Sequence, residues 1–327
     1  MKSPLASGLS AWALSPGHAG MEGQTIALLE ALGCDFDIKR VKPRPPWTWL
    51  PGSNWPFPMA SLAGGTVNLA PPYPDLIVSC GRRAAPFSAH IAKASGGKTT
   101  TVHIQDPQSG RSRFDLLVLP EHDGGRGDNV ITSVGSLHRV TDDVLSKGRE
   151  RFAPVLEGLP GKKIAVLIGG SNKTMSLDAP SMAAFGAVLA RAAVELEASL
   201  MITASRRSEP AAIAAFRQAV EGVPTCYWNG EDDNPYFGML GWADGIVVTG
   251  DSINMICEAC ATGKPVYIAQ FPGASAKFKR FYRSVLDGQH ARFFDGDLTP
   301  FAAKPLRETE RVAGVVASRL GMERLSD

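Results

Sequence analysis

The chain has 327 residues, 44% apolar and 20% charged. At roughly 150 residues per domain this is a two-domain globular length, and the balance excludes disorder as the main state. With 34 cations against 32 acids the net charge is +2, which excludes a nucleic-acid binder working by broad phosphate neutralisation.

In chain order, a strand is expected over residues 9–14. The loop Ser15-Pro16-Gly17-His18-Ala19-Gly20 then leads into a helix ending near Gly33, followed by a strand at 36–41. The next segment, Pro43 to Pro74, breaks the alternation with nine prolines and three of the six tryptophans, Trp47, Trp49 and Trp55. Proline at that density forbids a regular helix or an interior strand. Two readings stand: an Ω-like loop that buries its own aromatic rings, or an acceptor-binding or membrane-surface flap. Further strands are expected at 76–79, 99–104, 116–119 and 130–134, with a helix at 86–95. Residues 149–163, carrying Pro154, Gly158, Pro160 and Gly161, read as a hinge.

The second half alternates cleanly: strands at 164–168, 200–204, 225–228, 245–249 and 265–269, and helices at 180–196, 209–220, 235–242, 254–262 and 276–286. Short apolar runs closed by glycine and separated by helices demand a parallel sheet covered on both faces. A last helix, 306–320, is placed against the N-terminal half. The fold class is α/β: two doubly wound Rossmann-like domains facing a cleft. Residues 1–155 form the first domain, with the insertion 43–74. Residues 156–305 form the second domain, and 306–327 the terminal helix.

Ligands of such sheets bind beyond the C-terminal ends of the strands, and four segments are placed there. Gly169-Gly170-Ser171-Asn172-Lys173-Thr174 is a glycine turn with donors for an anion, although no Walker pattern is present. Ser205-Arg206-Arg207 offers two guanidinium groups for phosphate. Gly250-Asp251-Ser252-Ile253-Asn254 opens a helix, with Ser252 or Asp251 as the cap and free amides for a diphosphate. One to two turns further on, Glu258 can accept from both hydroxyls of a ribose. The fourth segment holds His18, a base or substrate contact. Asp106 is the second candidate base, with Arg111 and Arg113 beside it to hold an anionic acceptor.

No metal site is expected. Cys257 and Cys260 form a C-x-x-C, but neither a second pair nor a histidine stands at zinc spacing. The five scattered cysteines fit a reducing cytoplasm. The stretch Met1 to Ser15 makes a poor signal peptide, and no run approaches the roughly 18 apolar residues of a spanning helix. The expected location is therefore cytoplasmic, with peripheral contact at the inner membrane through 43–74 as the only membrane role.

Gly250-Asp251-Ser252 through Ala259, Ser205-Arg206-Arg207, Asn234-Pro235-Tyr236-Phe237, Pro16-Gly17-His18-Ala19-Gly20 and Gly135-Ser136-Leu137-His138-Arg139 together resemble the bacterial relatives of the plant "elongated mitochondria" fission protein. The likeness runs over nearly the whole chain. More distantly, the same features resemble GT-B glycosyltransferases such as the lipid-linked N-acetylglucosamine transferase of peptidoglycan synthesis. The resemblance implies a GT-B-like fold, with 156–305 as the nucleotide-sugar-binding domain and 1–155 on the acceptor side, and a nucleoside diphosphate sugar as substrate rather than a cofactor. It also implies phosphate contacts from Gly169, Gly170, Ser171 and Ser252, a ribose contact from Glu258, and an acceptor or sugar contact from His18 and Gly20. The chain departs from many retaining members in having no clear second acid after Glu258. Three functions follow as expectations: a metal-independent glycosyltransferase with a cell-envelope or lipid-linked acceptor, a non-hydrolysing sugar-nucleotide epimerase, or a non-catalytic adaptor.

Overall fold

The computed structural model describes residues 8–50, 54–62, 64 and 67–322. The chain divides into two compact units, residues 1–139 with 307–327, and residues 140–306.

The first unit is built on six parallel strands: β1 (Ser10–Ser15), β2 (Asp35–Arg40), β3 (Leu76–Cys80), β4 (Thr100–Ile104), β5 (Leu116–Pro120) and β6 (Val130–Ser133). They lie in the order β2-β1-β3-β4-β5-β6, so the direction of winding reverses between β1 and β3. The central strands β1, β3, β4 and β5 are buried along almost their whole length, as in a sheet covered on both faces. Helix α1 (Ala19–Leu32) ends where Gly33 takes φ 77°, a left-handed cap that glycine adopts without strain. Helix α2 (Ala85–Ala94) lies between β3 and β4.

The proline- and tryptophan-rich segment folds back on this unit. Pro43 bridges Leu62, and the buried Trp55 meets Phe87 of α2 edge-on at 6.2 Å. Trp47 is half-buried, while Trp49 and Phe57 are exposed. The segment thus buries part of its aromatic surface and presents the rest.

The second unit begins with α3 (Asp142–Arg151) and α4 (Ala153–Leu156), so the first half of the stretch read as a hinge is helical. The domain limit read at residue 155 correspondingly stands before α3 in the structure. Apolar periodicity could not reveal α3, because its buried residue is Gly148. A Cβ there would lie 2.8 Å from the backbone of Phe237 and Gly238, so α3 docks through its backbone. Its other signals are chemical: the Thr141 hydroxyl caps it by accepting from Val144 N at 3.2 Å, and Asp142 and Asp143 open it opposite Arg149 and Arg151 at its end.

The remaining strands are β7 (Lys162–Ile168), β8 (Ala198–Ala204), β9 (Thr225–Trp228), β10 (Gly245–Thr249), β11 (Val266–Ala269) and β12 (Arg292–Phe293), all parallel. Their order is β12-β11-β10-β7-β8-β9, with the switch between β7 and β10. The intervening helices are α5 (Ala179–Glu195), α6 (Pro210–Ala219), α7 (Tyr236–Trp242), α8 (Ile253–Ala261) and α9 (Ala276–Asp287). Asp178 caps α5 by accepting from Ser181 N at 3.0 Å, and Met182, Phe185, Leu189 and Ala192 carry its buried face. These side chains join Ile164, Val166, Ile168, Ile202 and Phe216 in one core. The last helix, α10 (Glu308–Arg319), packs on α1 and β6 of the first unit. Among the described residues, no helix is long and apolar enough to cross a membrane.

Candidate functional site

The C-terminal ends of β7 and β10 flank the switch in the second unit, where the crevice of a doubly wound sheet forms. The β10–α8 turn there is rigid. Tyr282 of α9, buried, donates its phenol to Gly250 O at 2.6 Å, and Ser252 caps α8 by accepting from Met255 N at 3.4 Å. Of the two caps the sequence allowed, Ser252 fills that place.

Asp251 turns inward instead. Its carboxylate is buried and accepts from Gly170 N at 2.9 Å and Thr249 Oγ1 at 2.6 Å, while Arg207 stands 3.5 Å away. Burial raises its pKa against the pull of those donors. Gly169 N in turn donates to Thr249 Oγ1 at 2.8 Å. A Cβ on Gly169 would collide with the Asp251 carboxylate, and one on Gly170 with the backbone of Arg207. The two glycines therefore exist for the close approach of neighbouring protein groups, and their amides are already satisfied.

Ser171 and Asn172 of that loop also serve the protein's own amides. Ser171 Oγ accepts from Leu177 N at 3.0 Å. Asn172 Oδ1 accepts from the amides of Thr174 and Met175 at 2.9 and 3.0 Å. Ser205 Oγ contacts Ser208 Oγ at 3.2 Å and accepts from Arg207 N at 3.2 Å. Arg207 leans on Asp251, whereas Arg206 is exposed. Asn254 stands in the first turn of α8.

Glu258 lies on the same helix, half-buried. Its Oε2 accepts from Tyr236 Oη at 2.6 Å, a bond from the first residue of α7 to α8. Burial pushes the carboxyl up to about 7, the Tyr236 bond opposing, and burial with the adjacent carboxylate holds the Tyr236 phenol well above its ordinary value. The pairing leaves Oε1 as an acceptor when the carboxyl is ionised. At the ends of β8 and β9, Ser205, Arg206, Arg217, Trp228, Asn229 and Asn234 line a pocket of about 760 Å³. The indole Nε1 of Trp228 is buried and makes no hydrogen bond among the described residues.

The first unit holds the two candidate bases. His18 stands just before α1, exposed, and makes no capping bond. Asp106 accepts from Arg111 Nε and Nη2 at 3.2 and 2.6 Å and from Gln108 N at 2.9 Å. The Arg111 guanidinium lowers its pKa, so Asp106 is a held anion and a poor proton acceptor. The same ion pair occupies Arg111, which removes it as a free clamp for an acceptor.

Sequence reasoning named Glu258 and Ser252 but missed Asp251 as a buried tie and Tyr236 as the partner of Glu258. Tyr236 was legible only as part of Asn-Pro-Tyr-Phe. Its pairing spans 22 residues and needed the docking of α7 on α8 to appear. Among the described residues no cluster of three or more His, Cys, Asp or Glu side chains could hold a metal ion.

The sequence profile of the family described as Mitochondrial fission ELM1 matches residues 19–320. The chain belongs to this family. The Mitochondrial fission protein ELM1 of Arabidopsis thaliana is 28% identical over 275 residues, 73% of this chain and 62% of that protein, so the chain spans less than two thirds of the plant relative. The Uncharacterized protein RP120 of Rickettsia prowazekii is 26% identical over 284 residues, 74% of this chain and 79% of its own. Among solved structures, a UDP-GlcNAc 2-epimerase from Methanocaldococcus jannaschii aligns with a TM-score of 0.52 at 11% identity, covering 94% of this chain and 99% of the other. Os79 from O. sativa in complex with UDP gives 0.52 at 11%, covering 96% and 92%. At such identities the likeness is one of fold, and it makes this family member GT-B-like.

Proposed function

We propose that the second unit binds a nucleoside diphosphate sugar and that the protein is a metal-independent glycosyltransferase. The observation that carries the reading is the Glu258 carboxylate, held by Tyr236 on α8 with Oε1 left to accept, at the switch of a doubly wound sheet. The remaining oxygen is matched to a vicinal diol because its two lone pairs can accept from both hydroxyls. Ribose hydroxyls on Glu258 would set the diphosphate towards the first amides of α8, where the partial positive charge favours it. With the Gly169 and Gly170 amides occupied by Thr249 and Asp251, the phosphate contacts fall to Ser252, Asn254 and the exposed Arg206. The planar base takes the pocket lined by Trp228 and Asn234. The UDP bound by Os79, which shares this fold, supports the same donor class.

In the transfer, an acceptor hydroxyl attacks the anomeric carbon, the bond from that carbon to the diphosphate oxygen breaks, and the diphosphate leaves with the electron pair. The acceptor proton passes to a base, for which His18 is the candidate. Catalysis is then mostly positioning plus stabilisation of the leaving diphosphate by helix amides and arginine. The acceptor we propose is a cell-envelope or lipid-linked hydroxyl.

Calorimetry of the full chain with a panel of nucleoside diphosphates, UDP first, tests the reading. Binding that falls at least tenfold in Glu258→Gln supports it. No binding of any member leaves the adaptor reading, in which only the scaffold is kept. Product analysis then separates transfer, which needs a second substrate, from epimerisation, which proceeds with one.

A further inference from the structure

The segment from Pro43 to Pro74 presents a feature independent of any nucleotide site. It is strapped into the first unit from within. The Trp47 indole donates to Pro56 O at 2.8 Å and the Trp55 indole to Leu50 O at 3.3 Å. These bonds lay residues 47–50 alongside 55–57. Trp55 is 6% exposed and belongs to a core with Val41, Leu69 and Phe87. In the same strap Trp49 is 78% exposed and Phe57 81%, with Leu50 next to Trp49. Phe57 holds φ 46°, a left-handed conformation that a bulky residue rarely adopts. A loop that has a core to fill sends Trp55 inward and still holds two large rings in water. Exposed aromatics grouped on one fixed loop mark an interaction surface.

Charge says which kind. From Val41 to Pro74 the sequence has no aspartate or glutamate. Lys42 and Arg44 are both exposed, and Arg44 donates to Ala60 O at 3.3 Å, which sets its guanidinium beside the turn that follows Phe57. Tryptophan and phenylalanine with cations at their flank, and no anion among them, complement an anionic lipid surface: the rings enter the headgroup boundary and the cations meet the phosphates. We infer that Trp49 and Phe57, with Lys42 and Arg44, form a membrane-surface anchor that docks the first unit peripherally on an anionic bilayer.

The test is co-sedimentation of the full chain with phosphatidylcholine vesicles made with and without phosphatidylglycerol. The anchor predicts binding to the anionic vesicles that weakens with salt, together with a blue shift of tryptophan emission. Replacing both Trp49 and Phe57 by alanine should cut that binding by roughly tenfold or more, and circular dichroism should show an unchanged fold because both side chains are exposed. Trp49→Phe should keep the binding and lose most of the blue shift. The charge reversal K42E with R44E should weaken binding to anionic vesicles selectively. A parent chain that stays in the supernatant of anionic vesicles overturns the inference. So does a double alanine variant that binds as the parent does, or a parent that self-associates through these rings and ignores lipid.

Discussion

The two units share a doubly wound plan and treat the acids near their strand ends in opposite ways. In the first unit, Glu22 is held by Arg40 at 2.6 and 2.8 Å and Asp106 by Arg111, and each guanidinium lowers the pKa of its acid. Both are fixed as anions. In the second unit Asp251 is buried and Glu258 half-buried, with neutral donors as their closest partners, and burial raises both. Asp251 spends its oxygens on the protein, tying the β7 turn to the β10 turn. Glu258 spends one oxygen and keeps the other. The difference teaches that a strand-end acid is informative only once its partners are counted.

The largest expected effect breaks the tie itself. Gly169→Ala drives a methyl into the Asp251 carboxylate and should destabilise the second unit by about 2–4 kcal/mol, read as a drop in the urea midpoint. An unchanged midpoint would mean that the two turns are not locked. Glu258→Gln sharpens the contrast between structure and function. It should weaken nucleotide binding at least tenfold, about 1.4 kcal/mol, while raising stability above pH 7. The sign follows from linkage. The folded carboxyl titrates at about 7 against an unfolded value of 4.5, so the folded state binds more protons between them and stability falls as pH rises through that window. Glutamine removes this fall, so the thermal stability of the two proteins should diverge from pH 4.5 upward and be furthest apart above 7. Parallel curves would show that the Glu258 carboxyl is not perturbed.

The first unit should respond weakly to the equivalent change. Asp106→Asn breaks an ion pair that is one third exposed on its acid side and should cost less than about 1 kcal/mol, with nucleotide affinity unchanged. His18→Ala should cut turnover far more than nucleotide affinity; equal loss of both removes His18 as a base. The smallest effect is a gain. Gly23 lies within α1, and a methyl added there would meet nothing within 4 Å, so Gly23→Ala should stabilise by about 0.5–1 kcal/mol. Calorimetric unfolding would show it.

Both sheets were legible in the sequence because parallel strands buried on two faces leave continuous apolar runs such as Ile164 to Ile168. Helix α3 was hidden because its contact is made by Gly148, which carries no hydrophobic signal, and β12 because two residues make no pattern. In the candidate site, Ser252 and Glu258 could be placed by their distance from a strand end. The glycine turn after β7 reads in sequence as a phosphate cradle, yet the groups its glycines accommodate, Asp251 and Arg207, arrive from 81 and 37 residues away. A glycine signals close approach without saying of what. The aromatic segment was legible as anomalous, but the division between Trp55 inward and Trp49 outward depends on indole bonds that no periodicity encodes.

The most direct measurement is a crystal structure of the full chain soaked with a nucleoside diphosphate. The account predicts both ribose hydroxyls within hydrogen-bonding distance of Glu258, with the phosphates at the first turn of α8. A nucleotide bound elsewhere, with the Glu258–Tyr236 pair untouched, would contradict it.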